Sequence, residues 1–331
     1  MIGNIQLLRA YAALAVVVYH TGTKFGPQHG TDFKGVAIFF VISGFLMCNF
    51  VTESPRDFFI KRLIRIVPLY WAATLLLVYL FGGLAWHDWR DVAMSLAFIP
   101  HTSTQGNWQP TLGVGWTLIL EMYFYTVFAI SMAVAGTKAP LLASIVLIIG
   151  VIVATFLGPD TIIGRYLGSL YILQFVVGIC IFFAINTVRK RLTSCQISWL
   201  WLPATVLIGM LVCIFEPPAP AIGSIAVSFG VPALVVAVAL ILAAAGRDVA
   251  SPIVILLGNA SYAIYLFHTI GLEWLRQKGI IIAHDPVLIS LFLITIIALS
   301  CAIYIYFENQ IRLALRYVVL AQHVKPEPQH P

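Results

Sequence analysis

The residues that could do chemistry begin with a pair. Arg9 and His20 stand eleven positions apart in the first long apolar run, R-A-Y-A-A-L-A-V-V-V-Y-H. A guanidinium is a permanent cation suited to anions, and an imidazole can take up or relay a proton near neutral pH. On a helix, eleven steps of ~100° return to within ~20° of the starting face, with an axial separation of ~16 Å. One face therefore carries a cation near one membrane surface and an imidazole well toward the other. Separately, Arg9 snorkelling to the headgroups and His20 sitting at the far interface would account for them. As a pair on one face inside an apolar run, they read as a functional site. Glu121 is the lone ionisable residue of the apolar stretch 113–135. It requires a cation or hydrogen-bond donors beside it, or it protonates. Tyr262, Tyr265 and His268, in S-Y-A-I-Y-L-F-H, fall on or near one helix face, where His268 alone also reads as a packed bundle histidine. Lys61, Arg62 and Arg65 cluster in F-F-I-K-R-L-I-R-I-V-P-L-Y-W. Arg62 and Arg65 share a face, and guanidinium groups bind phosphate bidentately. From spacing alone, anchoring at the inner membrane surface accounts for the cluster better than a phosphate site. Pro68 is expected to interrupt the helix there.

These residues need helices in a bilayer to hold them. Of 331 residues, 61% are hydrophobic and 10% charged, against about 25% charged in a soluble domain. The expected fold is an all-α polytopic membrane protein. Ten apolar runs, each about the length that crosses ~30 Å as a helix, lie at 5–22, 35–52, 66–86, 113–135, 139–157, 167–187, 199–215, 223–245, 254–278 and 286–307. A short amphipathic helix is expected in the interface near 88–99. Ten spans place both termini on one side. With the N-terminus inside, inner segments hold twelve of the nineteen basic residues and outer segments six, so the loop charges favour N-in and C-in. The outer segment 87–112 holds Trp89, His101, Gln105, Asn107, Trp108 and Gln109, aromatic faces and amides that suit a carbohydrate; for Trp86 and Trp89 the interfacial belt is the plainer reading. Residues 1–320 read as a single domain and 321–331, with three prolines, as a disordered cytoplasmic tail.

Composition also excludes. The net charge of +6 follows loop topology, and no dense basic tract interleaves with aromatics, so nucleic acid is not an expected partner. Cys48, Cys180, Cys195, Cys213 and Cys301 are scattered without a C-x-x-C spacing, so neither a disulfide framework nor a metal site is expected. No small-residue cleavage pattern follows His20, and the first run reads as an uncleaved span.

Depth adds a test. Counting along the spans puts His20 at ~22 Å, Glu121 at ~18 Å and His268 at ~21 Å above the inner edge. The expectation is one layer in the outer half of the bilayer and a shared, outward-opening cavity.

Five stretches together resemble a known family: L-L-R-A-Y-A-A-L-A-V-V-V-Y-H at 7–20, F-F-V-I-S-G-F-L at 39–46, R-L-I-R-I-V-P-L-Y-W at 62–71, W-T-L-I-L-E-M-Y-F-Y at 116–125 and S-Y-A-I-Y-L-F-H at 261–268. In order and spacing the chain is similar to the membrane acyltransferase-3 family, in particular its exopolysaccharide O-acetyltransferases. The resemblance implies a bacterial inner-membrane enzyme that moves an acyl group, acetyl above all, from cytoplasmic acyl-CoA to a sugar hydroxyl, with a glycan or lipid-linked oligosaccharide as acceptor and no metal. It implies a functional core of Arg9, His20, Arg62, Arg65 and Glu121. His20 would be general base or acyl relay, Arg62 and Arg65 with Lys61 would hold the donor's phosphates, Arg9 would line the route of the pantetheine arm, and Glu121 would orient or balance a cation. Trp108, Trp116, Tyr265 and His268 are the candidate sugar contacts. Two features depart from the family pattern. Ala37 stands in G-V-A-I-F-F where an acidic residue is usual, leaving Asp32 as the nearby carboxylate, and Glu308-Asn309-Gln310 lacks the usual proline. The rival reading is a transporter or exporter of polysaccharide precursors. It predicts repeat symmetry and paired broken spans, neither of which the sequence displays. A scaffold would leave the buried charges without a reason.

Overall fold

The computed structural model describes residues 2–25, 34–83, 88–104, 106–158, 160–192, 198, 200–214, 222–280, 282 and 285–320. Among them the regular structure is helical and no strand occurs. Each of the ten apolar runs holds a helix: α1 (Gly3–Phe25), α2 (Gly35–Met47), α3 (Pro55–Leu80), α5 (Trp116–Ala135), α6 (Ala139–Leu157), α8 (Tyr171–Leu192), α9 (Trp201–Ile214), α10 (Ile222–Ala244), α11 (Pro252–Gln277) and α12 (Pro286–Ile303). The short amphipathic helix is α4 (Trp89–Leu96), and α7 (Ile162–Leu167) and α13 (Asn309–Leu320) complete the set. Among the described residues, six stretches are long and apolar enough to cross a membrane, and two apolar helices, Gly35–Phe50 and Trp201–Cys213, are shorter. Ile145, Ile149, Ile152 and Phe156 of α6 and Leu291 and Ile294 of α12 are each at least half exposed. Rows of exposed isoleucine, leucine and phenylalanine are what a lipid-facing surface presents, because hydrocarbon solvates them without cost. The chain is a multi-pass membrane protein.

Helix ends are set locally. Ser54 caps α3, its hydroxyl accepting from the Asp57 amide at 3.1 Å, and Pro55 follows at the first turn, where its missing N–H is harmless. Asp285 caps α12 in the same way, accepting from Val287 and Leu288, with Pro286 next. The cap of α1 comes from far away. Asp248 accepts from the amides of Gly3 and Asn4, both at 2.8 Å. The Asn4 side chain returns the tie, donating to the Ala239 and Arg247 carbonyls and accepting from the Val249 amide.

The sequence misplaces one boundary that matters. The third helix begins at Pro55, not near 66, so Lys61, Arg62 and Arg65 lie well inside it instead of at its start. Pro68 sits within that helix and does not end it. The capping serine and Pro55 nucleate the helix upstream, and a span can carry proline where neighbours serve the disturbed backbone. The carbonyl that Pro68 leaves without its helical donor is that of Ile64; nearby, the Tyr262 hydroxyl donates to the Ile66 carbonyl at 2.8 Å and ties α11 to α3. The last run also differs: α12 continues through a π-helical turn, Tyr304–Glu308, into α13. The tail 321–331 and Asp32 lie outside the described residues.

Two relations position the site. α1 lies along α11, and α2 lies along α8. The second pair approaches at glycine: a Cβ on Gly44 would fall 2.1 Å from the Phe175 carbonyl oxygen, and one on Gly178 the same distance from that of Val41. Small residues at such crossings let membrane helices touch backbone to backbone. Around this pair the core is aromatic, with Phe124 stacked on Phe175 at 4.2 Å between ring centroids and Phe58 and Phe128 buried beside them.

Candidate active site

Five helices converge on a narrow pocket of about 80 Å³. α1 contributes Arg9, α2 Ser43, α3 Arg62 and Arg65, α5 Thr117, Glu121 and Tyr125, and α11 Tyr262 and Tyr265. The spacing of three brings Arg62 and Arg65 to the same lining, as helix geometry requires. Glu121 finds the donors that a buried carboxylate needs: its Oε1 accepts from the Tyr125 hydroxyl at 2.5 Å and from the Ser43 hydroxyl at 3.1 Å. Arg9, 8% exposed, donates to the Gln6 side-chain oxygen at 3.2 Å. Arg62, 5% exposed, lies over the rings of Phe50 and Phe58 at 4.9 and 5.7 Å, and its Nε has no hydrogen-bond partner among the described residues. Three guanidinium groups against one carboxylate leave the lining with an excess of two positive charges. Such a pocket attracts anions, and phosphate above all.

A second chamber, about 480 Å³, is lined by His20 and Tyr19 of α1, Trp108 and Gln109 of the segment before α5, Trp116 and Leu120 of α5, Arg165 and Tyr166 of α7, and Tyr171 of α8. Its aromatic wall is continuous: Trp108 meets Trp116 edge-on at 6.1 Å and Tyr166 at 5.9 Å, and Trp116 meets Tyr171 at 5.3 Å. Val36 and Tyr265 line both cavities, so the cationic pocket and the aromatic chamber share a wall. Tyr265 is fixed there, its hydroxyl 2.8 Å from the Thr117 hydroxyl and donating to the Val114 carbonyl at 3.1 Å.

His20 does not act by itself. Its Nδ1 is 2.9 Å from Nε2 of His268, and the rings stack at 5.0 Å. His268 is fully buried, with its Nδ1 3.1 Å from the Ile264 carbonyl. A carbonyl only accepts, so Nδ1 of His268 carries the proton and, in the neutral ring, Nε2 is its acceptor. His20 then donates through Nδ1, which makes its Nε2 the lone-pair nitrogen. The dyad holds one tautomer of a histidine in the wall of the aromatic chamber.

An acyltransferase domain profile matches residues 2–307. The chain belongs to the acyltransferase-3 family. Exopolysaccharide production protein ExoZ of Rhizobium meliloti (strain 1021) is 32% identical over 278 residues, covering 80% of this chain and 84% of its own. The putative peptidoglycan O-acetyltransferase YrhL of Bacillus subtilis (strain 168) is 29% identical over 168 residues, 43% of this chain and 26% of that one. Nodulation protein 10 of Rhizobium leguminosarum bv. viciae is 32% identical over 154 residues, 37% and 42% of the two chains. No solved structure matches.

In this acyltransferase-3 chain the sequence-derived candidates divide. Arg9, Arg62, Arg65 and Glu121 meet in one pocket, while His20, Trp108 and Trp116 meet in the other. The single cavity expected for His20 and Glu121 is thus two adjoining ones. His268 joins His20 as the depth count anticipated, but it stands behind that ring instead of at the surface a sugar would touch. Lys61 turns away to pair with Glu53 at 2.9 Å and does not line the pocket. Among the described residues no cluster could hold a metal ion. Ala37 is buried in α2. Sequence reasoning passed over Ser43, although it sits inside the F-F-V-I-S-G-F-L motif, and it counted Arg165 only as a loop charge. Glu308, given little weight, is 7% exposed in the π-helical turn, close enough for the charges of Arg65, Arg312 and Arg9 to act on it. Such turns often mark functional positions.

Proposed function

We propose that this protein O-acylates a carbohydrate, moving an acyl group, in the simplest case acetyl, from cytoplasmic acyl-CoA to a hydroxyl of a surface or exopolysaccharide sugar. The observation that carries the reading is the shared wall at Val36 and Tyr265 between an anion-attracting pocket and an aromatic chamber that presents a histidine. The printed names of ExoZ and YrhL, exopolysaccharide production and peptidoglycan O-acetylation, support the acceptor class. On this reading all ten apolar helices cross a bacterial inner membrane with both termini inside, a topology that the loop charges favour. The cationic pocket is then entered from the cytoplasm and the aromatic chamber from outside.

The chemistry follows from the two linings. Arg65 and Arg62 hold phosphate oxygens of the donor, and Arg9 lines the path of the pantetheine arm toward Val36 and Tyr265. Glu121, held by Ser43 and Tyr125, keeps the arginines separated and oriented. In the chamber, Trp108 and Trp116 stack on sugar faces. His20 Nε2 takes the proton of the acceptor hydroxyl as its oxygen attacks the thioester carbonyl. The C–S bond breaks, the ester C–O bond remains, and the imidazolium returns its proton to the departing CoA sulfur. Stacked on His268 and bonded to its Nε2, the His20 ring keeps its proton-accepting nitrogen directed away from the dyad. The reaction requires no metal.

The test is a gene deletion complemented with wild-type or His20→Ala protein, with ester-linked acetate on surface polysaccharide as the readout. Wild type should restore acetate and the variant should not, at equal membrane levels. Unchanged ester content on deletion would sink the reading.

A further inference from the structure

The wall of the aromatic chamber carries a permanent charge, and α7 supplies it. That short helix is held on two sides. The Thr161 hydroxyl caps it, accepting from the Gly164 amide at 2.9 Å. Gly164 lies so close to the preceding turn that a Cβ there would overlap the Gly158 carbonyl oxygen. One residue beyond Arg165, the Tyr166 hydroxyl donates to the Trp108 carbonyl at 3.1 Å. Arg165 therefore has a fixed root between two anchors. Its guanidinium lies over the Trp108 ring, 5.7 Å from the centroid.

Among the described residues that line the chamber, Arg165 is the sole permanent ion, and no carboxylate stands beside it. Two carboxylates of the flanking segments are not its partners. Asp91 accepts from the Thr104 amide and hydroxyl at 3.0 and 3.1 Å. Asp160, at the turn before α7, makes no ion pair among the described residues. The indole holds the cation through its π face, which leaves the in-plane N–H donors of the guanidinium available to a ligand. Gln109 and Ser169 add neutral hydrogen-bonding groups to the same lining. Tryptophans, an amide and a hydroxyl suffice for a neutral sugar, to which the guanidinium adds little.

We propose that the acceptor is an acidic saccharide, one whose sugar ring bears a carboxylate, with that ring against Trp108 and Trp116 and the carboxylate on Arg165. This deepens the glycan-acylation reading and rests on it. A planar carboxylate meets the fork of a guanidinium through two parallel hydrogen bonds. Charge favours it over a phosphate ester. One guanidinium balances one negative charge, whereas a phosphate monoester carries about 1.5–2 and would stay partly unbalanced among aromatic rings. Position says where the acid sits. The guanidinium is 5.7 Å from the indole centre, so the carboxylate belongs to the sugar that touches that indole and not to a residue further along the glycan.

The experiment uses the full chain in phosphatidylcholine nanodiscs and two probes with one backbone. They are β-1,4-linked tetraglucuronate and cellotetraose, which differ only in bearing a carboxylate or a hydroxymethyl group on each ring. In calorimetric titration tetraglucuronate should bind about tenfold or more tighter than cellotetraose. Arg165→Gln should bring the two affinities to within about twofold of each other. Arg165→Lys, which keeps the charge and loses the fork, should retain part of the preference, and it serves as the second variant if the glutamine protein is not monodisperse. Lys278→Gln, at an exposed position at the end of α11, should leave the preference unchanged. Inorganic phosphate should displace tetraglucuronate poorly. Absence of tetraglucuronate binding, equal affinity for the two probes, a preference that survives Arg165→Gln, or an equal loss from Lys278→Gln would each overturn the proposal. Displacement by phosphate as effective as by tetraglucuronate itself would also overturn it, by showing a site for any small anion. Acyl transfer plays no part in this readout. A chain that prefers tetraglucuronate but acylates no polysaccharide sinks only the functional reading, and one that acylates polysaccharide but binds both probes alike sinks only this inference.

Discussion

His20 and His268 lie 248 positions apart in the chain and meet with 2.9 Å between Nδ1 of the first and Nε2 of the second. The Ile264 carbonyl behind His268 fixes the order of donors through both rings. His20 therefore lines the chamber with Nε2 as its lone-pair nitrogen, and His268 is buried behind it; in the proposed reaction the first is the base and the second its positioning residue.

Removing each ring should have different consequences. His20→Ala should cost about 10²- to 10⁴-fold in kcat, the usual contribution of a positioned base. His268→Ala should cost less, about 10- to 100-fold, as losses of orienting partners do. The fall should appear in kcat with KM for the acceptor nearly constant. His268→Gln, whose amide oxygen can accept from His20, should recover part of the loss. Steady-state acyl transfer in proteoliposomes checks this. A Gln variant as slow as the Ala variant, with both well folded, would remove the positioning role.

Donor affinity should depend on the two arginines in the pocket and not on the neighbouring lysine. Arg62→Gln with Arg65→Gln should weaken acyl-CoA binding by about tenfold or more, since hydrogen bonds to charged groups contribute about 1.5–3 kcal/mol each. Lys61→Gln should change it by no more than about twofold, because Lys61 is held by Glu53 and exposed ion pairs contribute little. Calorimetric titration with a non-hydrolysable acyl-CoA analogue distinguishes these outcomes. Equal effects from the lysine and the arginine pair would reassign the phosphate site.

Topology can be read by thiol labelling. In a cysteine-free background, Asn107→Cys should react with an impermeant maleimide in intact cells, while Arg56→Cys should react only after the membrane is opened. Both positions are exposed. The reverse pattern would invert the orientation and with it the assignment of the two cavities to donor and acceptor.

The cap on α1 should be measurable as stability. Asp248→Ala removes the acceptor of the Gly3 and Asn4 amides, and loss of a helix cap costs about 1 kcal/mol. Thermal unfolding in detergent should shift downward. Activity should fall with it, because α1 carries both Arg9 and His20. An unshifted unfolding temperature would show that Asn4 holds the helix by itself.

Much of this was legible in the residues alone. Composition determined a multi-pass helical protein, because so many apolar side chains and so few charges have no other solution in a bilayer. The apolar runs located the helices to within several residues, the third being the exception because Ser54 and Pro55 start it well before its apolar part. The eleven-residue spacing put Arg9 and His20 on one side of α1, since helical period is a local property. What period and depth leave undetermined is which side chains from other helices stand opposite. Only the packing of α1 along α11 brought His268 behind His20. Only the approach of α2 to α5 gave Glu121 its Ser43 partner, Tyr125 being a local neighbour four residues on in α5, and only the packing of the other helices around α1 placed Arg9 in a different cavity from His20. A helix face can be computed from one segment, but a pocket wall is a relation among five. The rotation of each helix about its own axis is decided by side-chain fit between segments distant in the chain, which no local pattern encodes.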